Sequence, residues 1–148
     1  MVDRSLQRTL PDTVLFLGYA GLIPFVALPF LQYFGLVEMT QLQPTINAYA
    51  FGIISFICGT WWRADMATVA QTPALILSNC VFLIGFFAFV LLPNVWPLIA
   101  AVLLLILFTI EHYTSLIGRF SMSYKFMRGT LSVLASIAML CSYIFYAS

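Results

Sequence analysis

Five polar residues gather where the apolar runs of this chain end: Arg63 and Asp65 behind Trp61-Trp62, Glu111 and His112 closing the fourth run, and Arg128 opening the fifth. A carboxylate next to an imidazole can move protons near neutral pH, so Glu111 and His112 are the place where chemistry would be sought. The plainer reading of the five is a polar loop whose opposite charges compensate one another at helix ends. That reading is favoured because nothing supports the other. A single His supplies neither a HExxH zinc pair nor bis-histidine haem ligation, and no Ser, His and Asp stand in a recognisable order. Cys58, Cys80 and Cys141 all lie inside apolar runs without a CxxC, and read as core fillers. No residue is therefore assigned as catalytic, metal-binding or cofactor-binding.

The elements that must position these residues are dictated by composition. Hydrophobic residues make up 63% of the 148 and charged residues 7%, with a mean hydropathy of +1.05. A spanning helix needs about 20 apolar residues. The chain reads as a single all-α domain, a polytopic transmembrane bundle with spans at about 13–36, 45–62, 73–92, 96–111 and 128–146. Arg4, Arg8, Arg63, Arg119, Lys125 and Arg128 then all fall on one side, and Glu38 is the one charge on the other. The positive-inside rule places the N-terminus inside and the C-terminus outside. The first run is too long for a cleaved signal peptide and reads as an uncleaved signal anchor. The basic rim suits anionic head groups but is too sparse for nucleic acid, and the expected partners are membrane lipids and other membrane proteins or a second copy of the chain.

Within the first span Gly21, Pro24 and Pro29 predict a bend or local unwinding, since each proline removes a donor and displaces the carbonyl four residues earlier. Pro44 is expected in the first turn of the second span. Gly52, Ser55 and Gly59 share a face of that span, and Gly129, Ser132 and Ser136 repeat the pattern on the fifth. Small residues permit close helix approach in lipid, so these two faces are expected to meet. Asn79 in the third span is expected to bond to a neighbouring helix. Trp61 and Trp62 read as inner interfacial anchors, and Trp96, Tyr33, Tyr143 and Tyr146 as an outer aromatic belt.

Gly21-Leu22-Ile23-Pro24-Phe25, the stretch from Ala48 to Trp62, and Tyr124 with Met127-Arg128 and Thr130-Leu131 resemble a family of small membrane proteins of unknown function. That family is found across bacteria and includes mitochondrial transmembrane protein 69. Where its members carry Gly-Gly and then Trp-Gly, this chain has Cys58-Gly59 and Trp62-Arg63. The resemblance implies a compact helical bundle of a bacterial inner membrane, with the mitochondrial inner membrane as the alternative, and implies no activity. Three function classes follow. An accessory, assembly or structural subunit acting through helix packing leads, because the chain offers packing surface and little extramembrane mass. A small-solute or lipid transporter or channel using the broken first helix comes second, and an interfacial enzyme at Glu111, His112 and Arg128 third.

Overall fold

The computed structural model describes residues 12–36, 38–62, 72–113 and 122–147. Among them six helical segments form: α1 (Asp12–Ala20), α2 (Ile23–Tyr33), α3 (Met39–Thr60), α4 (Thr72–Leu91), α5 (Trp96–Tyr113) and α6 (Met122–Ala147). Four stretches are long and apolar enough to cross a membrane: Thr13–Leu31, which runs through α1 and α2, then Thr72–Leu91, Trp96–Tyr113 and Met122–Ile144. The helix α3 has the length, with 22 residues, but Gln41, Gln43 and Asn47 near its start make it less apolar. It touches α2, α4, α5 and α6, while Gly52, Phe56 and Gly59 stay exposed. A helix with neighbours on several sides can carry polar residues inward, as buried Asn47 does.

The first apolar run divides at Gly21–Leu22 because Pro24 brings no N–H to the carbonyl of Ala20. The chain tightens there into i→i+3 bonds, Gly21 N–H to Gly18 O at 3.0 Å and Leu22 N–H to Tyr19 O at 3.0 Å. The hydroxyl of Tyr49 on α3 donates to the Gly21 carbonyl at 2.8 Å, and its ring meets Phe25 edge-on at 5.2 Å. The break is thus tied to the central helix. Pro44 lies six residues into α3, deeper than the first turn expected for it. The hydroxyl of Thr45 bonds to the Gln41 carbonyl beside it at 2.7 Å.

The core is built by α3, α4, α5 and α6. Trp96, expected in an outer aromatic belt, is fully buried instead. Its indole N–H donates to the Asn47 carbonyl at 3.1 Å, and its ring packs edge-on to Phe51 and Phe89. Phe51 and Phe89 in turn stack at 5.2 Å, which locks α3, α4 and the start of α5 together through aromatic contact. Gly85 faces this cluster, and a β-carbon there would meet Leu103 and Ile54 at ordinary contact distance. The pair α5 and α6 is the most extensively packed. Phe108 lies against Gly129, where an added β-carbon would sit 3.2 Å from the ring. Further along, the Ser136 hydroxyl donates to Ser132 O at 2.7 Å and lies 3.2 Å from Ala101 O.

The small-residue faces therefore do not meet as expected. Gly129, Ser132 and Ser136 lie on α6, and α6 packs chiefly on α5. Gly52 and Gly59 are exposed, with nothing within 4 Å of where a β-carbon would be, and the Ser55 hydroxyl bonds within its own helix to Phe51 O. The inward face of α3 carries large residues, Ile54, Ile57 and Trp61 among them. Dispersion contact from these side chains outweighs the close approach that two small faces would allow. Asn79 is likewise turned outward and bonds to Leu75 O in its own helix, while its neighbour Ser78 is the buried polar group. Of the cysteines only Cys58 is buried; Cys80 and Cys141 are exposed rather than core fillers.

Candidate functional site: a buried ion pair beside an apolar cavity

The helix α6 begins at Met122, six residues before the start expected for the fifth span. Arg128 is thereby carried into the helix, two turns from its beginning, instead of marking its end. Glu111 sits in the last turn of α5. These positions lie side by side across the most closely packed helix pair, and the two side chains form a forked ion pair. Arg128 Nε donates to Glu111 Oε2 at 3.1 Å and Arg128 Nη2 donates to Glu111 Oε1. The indole N–H of Trp61, at the end of α3, donates to the same Oε1 at 3.0 Å. Glu111 is 2% exposed, Arg128 6% and Trp61 2%. Three helices are joined at one carboxylate.

A carboxylate holding three charge-assisted or indole hydrogen bonds is satisfied as an acceptor and is poorly placed to take a proton from a substrate. His112 does not join it. Consecutive helical residues face different directions, and the His112 ring is exposed, 5.9 Å from Phe108 and 5.4 Å from Tyr113. Arg63 and Asp65 lie outside the described residues, so of the five sequence candidates the structure brings together Glu111 and Arg128 and turns His112 away. Trp61 is the member that sequence reasoning assigned elsewhere, as an interfacial anchor. The available signal was its place at the C-terminal cap of α3, at the same depth as Glu111 if both helices end at one membrane face. Trp62, by contrast, is exposed, and its indole N–H reaches the Ser78 hydroxyl at 3.2 Å.

Arg128 has a second role in the architecture. It lines a cavity of about 300 Å³ enclosed by the broken α1–α2 segment, α3, α5 and α6. The walls are chiefly apolar, with Leu22, Phe25, Ile57, Leu104 and Leu131 among them. The polar residues of the lining include Thr60, Tyr124, Arg128 and Ser132. The Thr60 hydroxyl already bonds to Ile57 O at 2.7 Å. Gly18 faces Met127 at this cavity's edge, and a β-carbon there would sit 2.8 Å from its Cε, so the end of that thioether side chain would have to move. Among the described residues no three His, Cys, Asp or Glu side chains gather as a metal site would require.

Long apolar helices, a core closed by aromatic contacts and one internally neutralised charge pair define the class: a helical membrane protein. Over residues 10–144 the chain matches the family described as protein of unknown function (DUF3429), and it belongs to that family. Neither curated proteins nor solved structures include a match to it.

Proposed function

We propose that this protein is an accessory, assembly or structural subunit of a bacterial inner membrane, crossing it five times with the N-terminus inside and working through helix packing rather than catalysis. The observation that carries the reading is the state of Glu111. The acid that would do chemistry is buried and bonded on both oxygens to Arg128 and Trp61. What remains available is surface. Outward residues of α4 such as Ile76, Ile84, Phe86 and Phe87 are exposed in the isolated chain, a face suited to lipid or to another helix. The asymmetry of Lys and Arg supports the orientation, and the 22-residue length of α3 with its contacts to α2, α4, α5 and α6 supports counting it as a span.

Purification of the full chain from its own membranes in mild detergent tests the subunit reading. The expected result is co-migration with a defined membrane protein, lost on replacing Phe86 and Phe87 by Ala while the melting temperature holds. A monodisperse chain free of partners contradicts it. For orientation, a reporter active only outside should be silent when fused after Arg8, Arg63 or Arg119 and active after Glu38, Asn94 or Ser148. The second reading, a small-solute or lipid transporter or channel, is favoured by one observation, the cavity behind the broken first helix.

A further inference from the structure

We propose that the cavity between α1–α2, α3 and α6 is a binding site for one hydrocarbon chain of a bilayer phospholipid, entered sideways between α1 and α3. Its size comes first. About 300 Å³ is at the lower end of ligand-sized pockets, and about twice the volume of an apolar cavity that takes up benzene. A helix of another protein, about 10 Å across, has no room there. Its shape comes second. One wall runs from Val14 through the break to Phe25, and the opposite wall from Tyr124 to Ala135 on unbroken α6 is about 16 Å at 1.5 Å per residue. The site is long and follows the helix axes, as bilayer chains do.

The opening decides the occupant. Leu17 on α1 and Phe56 on α3 both line the cavity and are 62% and 67% exposed, so the cavity opens on the outer flank of the bundle. In a membrane that flank meets acyl chains. Walls such as Leu104 and Ala135 give water few partners, and an unfilled space would forfeit the dispersion contacts a chain restores. The polarity is graded as well. Taken in order along α3 and α6, Thr60, Tyr124 and Arg128 lie toward one end and Ile53 and Ala135 toward the other, with Ser132 as the one polar lining residue near the second group. A chain lying with its ester end beside the first group and its methyl end beside the second matches both. The site goes beyond the subunit reading, and its test reads labelling rather than complex formation, so either can fail alone.

The test reconstitutes the full chain in phosphatidylethanolamine and phosphatidylglycerol vesicles that contain a phospholipid with a photoreactive diazirine in one acyl chain. Labelled residues are then mapped by mass spectrometry. The expected result is labelling of Leu104 and Ala135, which are buried, in addition to exposed Ile76 and Phe86 on α4. Leu131→Trp, which fills the cavity, should abolish the buried labels and leave those on α4. Ile53→Trp fills the same space from α3 and serves if the first variant does not fold. Labelling restricted to exposed residues, or buried labels that persist in a folded filled variant, overturns the proposal. Loss of the buried labels to excess free fatty acid but not to excess unlabelled phosphatidylglycerol also overturns it, in favour of a fatty-acid site.

Discussion

The two sides of this bundle are held by different means. Where α3, α5 and α6 converge, apolar packing is joined by specific contacts: a forked ion pair, an indole bonded to the same carboxylate, and a phenyl ring seated on Gly129. Where α1 and α2 lie against α3 and α6, the described contacts are fewer, the proline-broken helix turns most of its side chains outward, and a cavity remains. The difference shows how a lipid-solvated chain spreads its stability. Apolar burial alone discriminates little when the surroundings are as apolar as the core, so rigidity goes where polar groups must find each other, and the side without them stays loosely filled.

The largest effect is expected on the rigid side. Arg128→Gln leaves Glu111 buried with its charge uncompensated, a loss of about 3–5 kcal/mol, read as a large fall in thermal stability in detergent. Trp61→Phe keeps the ring and removes one donor to the carboxylate, which should cost about 1.5–3 kcal/mol in the same measurement. On the loose side, Gly18→Leu collides with Met127 and should push α1 away at about 1–3 kcal/mol. Cysteine labelling at α1 positions should rise while the α5–α6 pair keeps its protection. The smallest effect belongs to Gly52→Leu and Gly59→Leu, which project into open space and should change stability by about 0.5 kcal/mol or less. A large loss at either glycine would show that a partner helix covers that face.

The helical nature of the chain, its apolar stretches and the importance of Glu111 and Arg128 are legible from residue type alone. Which face of each helix turns inward is not. In a bilayer the outward residues are as apolar as the inward ones, so Ile54 and Phe56 look alike in sequence although one is buried and the other exposed. Small residues mislead for the same reason: Gly129 marks a contact and Gly59 marks open surface. The early start of α6 is hidden by its polarity. Lys125 is a good helix former and Ser123 and Tyr124 are tolerated in a helix, but the three read as loop when a span is sought by hydropathy. Asn47 shows the reverse, a polar residue that lowers the apparent membrane character of α3 because the helix is central. The cavity has no sequence signature, since it arises from how a broken helix sits against three others.

The central claim is that Glu111 and Arg128 are bound to each other and hold α5 and α6 together, and a double-mutant cycle in detergent-solubilised full-length protein tests it most directly. Glu111→Gln, Arg128→Gln and the double variant are compared with the parent by the free energy of unfolding. Each single change should be severe and the double change should cost clearly less than their sum, a coupling within the range of about 0.5–3 kcal/mol found for residues in contact. Additive losses, or single variants as stable as the parent, would contradict it.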